Sequence, residues 1–328
     1  MSHHLRRIAV LVAAVALGAC AAAAPVSSSS VMPFRPAGTQ QQALPPELGP
    51  FVISMSARTG ELELWPLRKG GGSHPKPLSR PLGLGFAAGL ATKGHVIAIA
   101  SQNPSQLSLY SMNDQSLRTF ADPFGAATDV AIGNDGTIYV NNVPKAGSSV
   151  TMYKPPAHRP VQLICAALSF STAVAVDNEN DIYLQGYGAG GSAIVAEIPN
   201  GPGGPEPQNC ATLPLKTDGG YGAGVVVDPT TDDLVTLDDP DYCAGGIEGR
   251  MTVYPKPYNI NTGKSRVLGF ECAGGLRLSA DSKYVYLGDT NLSISFILQR
   301  TFPDGGDVGR YRGGDWSGFT TIPSSLPN

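Results

Sequence analysis

The chain has 328 residues, 42% of them hydrophobic and 15% charged, which is enough apolar material for a sizeable core and too little charge for a disordered tail. A formal charge of −3 and a pI near 5.9 leave no basic footprint, so nucleic acid is not an expected partner. Glycine (40) and proline (28) exceed ordinary usage, and turns must therefore be frequent.

Residues 1–19 read as an export signal: Arg6-Arg7, an unbroken apolar run from Ile8 to Leu17, then the small residues Gly18 and Ala19. The tetrad Leu17-Gly18-Ala19-Cys20 resembles the lipobox of bacterial lipoproteins. That resemblance implies a diacylglycerol on the Cys20 thiol, cleavage before it, and Cys20 as the first residue of the mature chain. The other reading is an ordinary secretory signal with a chance cysteine. Arg6-Arg7 lacks the rest of a twin-arginine motif, so Sec export is expected. The implied address is the bacterial cell envelope, with Ala21 resembling the outer-membrane sorting pattern if the host has such a membrane. Residues 20–48 are rich in Ala, Ser, Pro and Gln without apolar periodicity, which describes a lipidated flexible tether or else an arm packed on the domain. No second apolar run is long enough to cross a bilayer, so the lipid is the expected membrane contact.

Residues 49–328 carry the folded domain, and from Phe51 one pattern recurs: an apolar strand, a polar turn, a second strand with an aromatic, a loop, and a third strand ending in an aromatic. The clearest copies are DVAIGNDGTIYV at 129–140 with VTMY at 150–153, and AVAVDNENDIYL at 173–184 with IVAE at 194–197. Further copies start at Val225 and Leu276, a weaker one at Leu90, and Phe51–Met55 with Leu62–Trp65 is a unit lacking its first strand. Turns such as Asn134-Asp135-Gly136 accept the left-handed backbone that a hairpin demands. Six units over residues 51–322 give about 45 residues each, the length of a four-stranded propeller blade. The expected fold is an all-β, six-bladed β-propeller, with a seven-bladed ring or a β-sandwich as alternatives. Gly318–Ile322 alternates in the right way to supply the missing first strand and close the ring.

The pairing of AVAVD with DIYL resembles NHL-repeat and gluconolactonase-like six-bladed propellers, and the resemblance covers nearly all of residues 51–322. It specifies fold far better than function.

Four cysteines follow Cys20, an even number in an exported chain: Cys165, Cys210, Cys243 and Cys272. The blade register favours Cys165–Cys210 and Cys243–Cys272 among the three possible connectivities, with Cys165, Cys210 and Cys272 each ending an outer strand. No Cys-x-x-Cys pair points to a metal or redox site.

The histidines of the mature chain, His74, His95 and His158, fall in turns on one face and cannot converge at the mouth where propellers bind ligands, which weighs against histidine catalysis. Loops on the other face are expected to carry Asn141, Asn142, Gln185, Asp238, Asp239, Asp241, Asp289 and Asn291. These are hard oxygen ligands of the kind that hold Ca²⁺ or another divalent metal, Asn142, Asp238, Asp239 and Asp289 above all. Gluconolactonase-like propellers bind a divalent metal there and open a lactone or ester. The resemblance maps Asn142 and Asp238 or Asp239 onto two ligand roles, but no glutamate stands at the matching end of any blade. Ordinary Asx capping of loop backbone is the competing reading. The Gly70–Gly72, Gly188–Gly191 and Gly201–Gly204 runs lack phosphate-cradle context and read as loops. The third-strand aromatics Trp65, Tyr110, Tyr153 and Tyr254 read as packing between blades, whereas Trp316, in the run Gly313-Gly314-Asp315-Trp316, is a candidate for stacking on a ligand, beside Gln185. The function that fits these residues is a monomeric exported lipoprotein whose propeller binds a protein or glycan. The alternatives are a divalent-metal-dependent lactonase or esterase, and, third, a streptogramin-lyase-like propeller, whose resemblance requires a histidine this chain does not offer there.

Overall fold

Short alternating apolar runs separated by Asn, Asp and Gly turns can bury one face each only as antiparallel hairpins stacked on one another, and that is what the chain builds. The structure is a computed structural model that describes residues 51–56, 62–66, 70–72, 76–77, 84, 87–111, 117–143, 147–217, 220–239, 249–270, 273–279, 281–291, 294–312 and 316–322. Apart from one 3₁₀ turn, Pro207–Asn209, their regular structure is all β, and no helix among them is long and apolar enough to cross a membrane. Cys20, the lipobox, residues 20–48, His74, Asp241, Cys243 and Cys272 lie outside the described residues.

Five sheets have four strands and one has five, besides a two-stranded ribbon, Asn200–Gly201 with Gly204–Pro205. Sheet I runs Trp316–Ile322, Phe51–Ser56, Leu62–Pro66, Lys76–Pro77. Sheet II runs Ala87–Lys93, Val96–Ser101, Gln106–Ser111, Leu117–Ala121, and sheet III runs Ala126–Ile132, Ile138–Val143, Ser148–Tyr153, Pro160–Cys165. Sheet IV runs Phe170–Val176, Ile182–Tyr187, Ala193–Ile198, Ala211–Thr212, and sheet V runs Tyr221–Val227, Leu234–Asp239, Arg250–Tyr254, Lys264–Val267. Sheet VI runs Ala273–Leu278, Tyr284–Asn291, Ile294–Thr301, Asp307–Arg312, and ends on Gly70–Gly72. The first strand of each sheet adjoins the first strand of the next around a central channel, so the architecture is a β-propeller.

Two connections hold the beginning of the chain to its end. Trp316–Ile322 pairs with Phe51–Ser56, Phe51 facing Ile322, so a strand from the far end completes the first sheet as the Gly318–Ile322 pattern predicts. Such closure removes open edges that would otherwise invite pairing with other chains. Trp316, the last residue of its glycine-rich run, begins this strand opposite Ser56, and a register shift absorbs the intervening residue. Gly70–Gly72, read from sequence as a loop, pairs in parallel with Gly309–Tyr311 and ties the first part of the chain to sheet VI.

The core lies between the sheets. Trp65, Tyr110, Tyr153 and Tyr254 are all buried, and polar handles are held where their partners are described: Trp65 Nε1 donates to Ser54 Oγ (2.8 Å), Tyr153 Oη to the Ala121 carbonyl (3.1 Å) and Tyr254 Oη to the Lys216 carbonyl (2.6 Å). The last two reach backward from sheets III and V to the chain just preceding them, so each ring packs apolar surface and also ties its sheet to its neighbour. Burial of each such ring is worth about 2 to 3 kcal/mol.

Cys165 and Cys210 form a disulfide with Cα atoms 5.4 Å apart, joining the outer strand of sheet III to the segment just before the outer strand of sheet IV. Cys165 ends its strand as expected; Cys210 precedes Ala211–Thr212 instead of ending a strand, because the outer strand of sheet IV is only two residues long.

Candidate functional site

The first strands line the channel, and each first strand of sheets II to VI carries a register shift near its start, where the ladder skips Ala88, Thr128, Thr172, Ala223 and the pair Gly274-Gly275. A bulged residue has no ladder partner, so its peptide groups and those beside it need other bonds. The second strand of the preceding sheet supplies them. Gln185 Oε1 accepts the Gly224 amide (2.8 Å), and Asn141 Nδ2 donates to the Ser171 carbonyl (3.1 Å) while its Oδ1 accepts the Ser171 hydroxyl (2.6 Å). Thr172 Oγ1 hydrogen-bonds the Gln185 and Gly222 carbonyls (3.1 and 2.6 Å). In sheet V the position matching Asn141 and Gln185 is Leu237, which packs against Leu276 in an apolar cluster.

This accounts for most of the expected ligand set. Asn141, Asn142, Gln185, Asp238 and Asp239 sit inside second strands, buried, not in mouth loops, because those strands run further than their turn residues suggest. Gln185 Nε2 donates to Asp238 Oδ1 (2.9 Å) and the Leu237 carbonyl (3.2 Å), so an amide already engages that carboxylate. Asn142 faces the other side of sheet III, where its Nδ2 donates to Thr151 Oγ1 (2.7 Å) and Asp122 Oδ2 (3.0 Å), and its Oδ1 is buried with no hydrogen-bond partner among the described residues. Burial pushes the Asp122 carboxyl up, against hydrogen bonds from Thr151, Asn142 and the Phe124 amide that pull it down. Asp289 and Asn291 belong to the strand Tyr284–Asn291, where Asp289 faces Ala273 and Phe296. Asn142, Asp238 and Asp239 are buried and line neither channel cavity.

The channel is crossed by charge instead. Arg277, on the first strand of sheet VI, donates from Nη2 to Asp129 Oδ1 on the first strand of sheet III (2.5 Å). Its Nε and Nη2 also reach the Leu90 carbonyl of sheet II (3.2 and 3.1 Å), and Nη1 bonds its own Leu276 carbonyl (2.8 Å). Asp129 Oδ2 accepts the Val174 amide of sheet IV (3.1 Å), so one ion pair braces the first strands of four sheets. Gly89 lets the strands come this close, since a Cβ there would lie 2.6 Å from the Asp129 Cα. Two cavities meet at Arg277. The upper, of about 300 Å³, lies toward the start of the first strands and has Asp129 and Arg277 in its floor; the lower, of about 390 Å³, lies toward their ends.

Half-buried aromatics stand at the upper mouth. Phe170 and Tyr221 line the cavity, and Tyr187 lies between them, its ring centroid 6.0 Å from each at tilts of 49° and 47°. The lower mouth is laced by turns. Lys93 Nζ donates to the Gly133 carbonyl and Asn134 Oδ1 (2.7 Å each), Asn134 Nδ2 to Asn178 Oδ1 (2.9 Å), and Asn178 Nδ2 to Asp232 Oδ1 (2.7 Å). Hairpin residues expected only to turn the chain thus also bond four sheets together. His95 and His158 fall in turns of sheets II and III, as expected.

Asp177, Glu179 and Asp181 bring carboxylate oxygens within 4.8 Å of one another beside the lower mouth, a grouping sequence reading did not single out. Asp177 is saturated: Oδ1 accepts the Glu179 and Asp181 amides (2.9 Å each), and Oδ2 accepts Tyr183 Oη (3.0 Å) and Lys256 Nζ (2.9 Å). Lys256 therefore supplies the cation. Burial alone would lower the Lys256 pKa, but the hydrogen bond and charge of Asp177 raise it well above the ordinary lysine value.

Asp129, Arg277, Phe170, Tyr187 and Tyr221 were not selected from sequence, although two left a signal. Register puts Asp129 where sheets II, IV and V have Gly89, Ala173 and Gly224, and Arg277 where sheets II to V have Ala91, Ala131, Ala175 and Val226. A charge in a column of small apolar residues is the mark of a cross-channel contact. The aromatics flank the strands where repeat units diverge, so no column exposes them.

No family model matches the chain, and no curated protein does. Similar solved structures exist. A chain of the nidogen/laminin complex superposes with a TM-score of 0.65 at 14% identity, covering 84% of this chain and 100% of that one. TolB from Acinetobacter baumannii gives a TM-score of 0.58 at 12% identity, over 84% of this chain and 68% of that one. The likeness is one of fold. At these identities it carries the propeller and nothing of the chemistry at its mouth.

Proposed function

We propose that this chain is a binding propeller of six blades, the five-stranded sheet being the sixth, whose upper mouth receives a protein partner. The observation that carries the reading is the Phe170, Tyr187, Tyr221 arc, half-buried, over a cavity floored by a fixed ion pair. Aromatic rings with few rotamers give contact area at low entropic cost, and a blind pocket ringed by sheet ends holds them rigidly. The fold likeness to a chain from a protein complex, nidogen with laminin, is consistent with it. A glycan remains the other ligand class for such a mouth. The lipobox Leu17–Cys20 supports an exported, lipid-anchored domain in the bacterial envelope, with residues 20–48 as its tether.

The test is photo-crosslinking on the intact envelope with a photoreactive residue at Gly188, beside the arc. Crosslinked partner should fall sharply in Tyr187→Ala and Tyr221→Ala and persist in Ile164→Ala on the outer strand of sheet III. Loss that is equal in all three, or absent in all three, overturns the assignment of the mouth. Metabolic labelling with an alkyne fatty acid tests the anchor, and label that survives Cys20→Ala counts against it.

A further inference from the structure

We propose that the upper mouth recognises an uncharged peptide segment and that the Arg277–Asp129 pair excludes charged ones. The proposal rests on the binding reading above and names what the partner must present there.

The floor is electrically neutral and already committed. Asp129 is 5% exposed, and the Arg277 side chain 16%. An incoming carboxylate would have to share Arg277 with Asp129, and an incoming ammonium would have to share Asp129 with Arg277. Either leaves a buried charge facing its like, and it loosens contacts that brace four sheets.

An uncharged group meets no such conflict. Arg277 has five N–H donors against four hydrogen bonds to its described partners, and a carboxylate such as Asp129 has about four acceptor sites against two bonds. One Nη1 hydrogen and about two carboxylate acceptor sites thus remain on the pair, a donor and acceptor set that suits a peptide group or a primary amide. The walls add no charge, because the bulged residues Ala88, Thr128, Thr172 and Ala223 that line the same cavity are all uncharged. Phe170 and Tyr221 offer packing for one ring or aliphatic side chain. About 300 Å³ is at the small end of ligand pockets, room for one or two side chains of an inserted loop and not for a folded domain.

The probe is a random linear heptapeptide library displayed on phage and selected on the purified chain, followed by anisotropy titration of the enriched peptides. Enriched peptides should carry Asn, Gln or Gly beside an aromatic or proline, bind about tenfold more weakly to Tyr221→Ala, and lose about tenfold or more when the central residue becomes Asp or Lys. Asp129→Asn should leave Arg277 as an unpaired cation and raise affinity for the Asp-substituted peptide, a gain that misfolding cannot imitate. Enrichment of charged segments whose binding depends on Tyr221, or no gain in a folded Asp129→Asn, overturns the exclusion and leaves the mouth as a binding site. Absence of any Tyr221-dependent binder overturns the binding reading itself, and this proposal with it.

Discussion

Asp129 and Arg277 stand on the first strands of sheets III and VI, which are not neighbours, and join at 2.5 Å across the channel. The guanidinium also holds the Leu90 carbonyl and the carboxylate holds the Val174 amide, so the pair replaces the packing that a narrower channel would supply with directed bonds. Removing one partner of a buried pair costs more than the pair is worth, because the other is left without compensation. Arg277→Met and Asp129→Asn, the second of which keeps a carbonyl for Val174 but leaves the guanidinium uncompensated, are therefore each expected to destabilise by about 3 kcal/mol in urea unfolding. A loss for Arg277→Met no larger than that of an exposed substitution, under about 0.5 kcal/mol, would show that the brace contributes nothing.

The amide clasps make a second expectation. Gln185→Leu keeps volume but removes the acceptor of the Gly224 amide and one hydrogen bond to Asp238, a loss of about 2 kcal/mol. Asn141→Leu is expected to cost the same, since it serves the Ser171 carbonyl and hydroxyl in the next sheet. If these residues instead held a structural cation, both variants would also lose metal on elemental analysis. An unchanged metal content with lowered stability is the outcome the clasp geometry requires.

How much of this was legible follows from which interactions are local. The hairpins of sheets II to V were readable because alternation and Asn, Asp and Gly turns act within about twelve residues, and the closing strand because Gly318–Ile322 alternates as an edge must. Cys165–Cys210 followed from repeat register. The roles of Asn141, Asn142, Gln185 and Asp238 were not legible, because a polar residue at a strand end looks the same whether it caps a loop, binds a metal or serves a bulge in the next sheet. That bulge is set by close approach of first strands: Gly89 and Gly224 are sites where a Cβ would strike Asp129 and Leu276 at 2.6 Å. Parallel pairing of Gly70–Gly72 with sheet VI joins residues far apart in sequence and leaves no local trace at all.

The disulfide yields a third expectation. It spans 45 residues and fastens the outer edges of sheets III and IV, with Cys165 buried in the apolar cluster between them. Closing a loop of that length in the unfolded chain is worth roughly 4 kcal/mol in the chain-entropy model. Cys165→Ser/Cys210→Ser is expected to lose about 2 to 4 kcal/mol and to keep the channel contacts, so hydrogen exchange should rise along Pro160–Cys165 and Ala211–Thr212 and stay slow in Ile138–Val143. Uniform acceleration across both sheets would show that the disulfide holds them as one cooperative unit and not their outer strands alone.

The acidic grouping beside the lower mouth fixes the direction of a pH effect. Burial raises the carboxyl pKa of Asp181 and of Glu197 above their ordinary 3.8 and 4.5, with neighbouring Asp177 adding to both. A raised carboxyl binds its proton more readily folded than unfolded, so these two groups add stability at and below the ordinary carboxylate range and lose it as pH rises toward neutral. Lys256 titrates at the other end of the scale: held above 10.5, it keeps its own charge through the acid and neutral range and gives up that contribution only in strong alkali. Lys256→Met should thus cost about 2 kcal/mol at pH 7, discounted for a side chain 35% exposed, and less near pH 4, where the neighbouring carboxyls take up protons. Glu197→Gln keeps an acceptor for Tyr183 Oη while removing a charge, and it should gain a few tenths of a kcal/mol at pH 7 and nothing near pH 4. Urea unfolding at both pH values measures all four numbers, and a Lys256→Met loss that is as large at pH 4 as at pH 7 would mean that the lysine acts through its aliphatic stem and not through its charge.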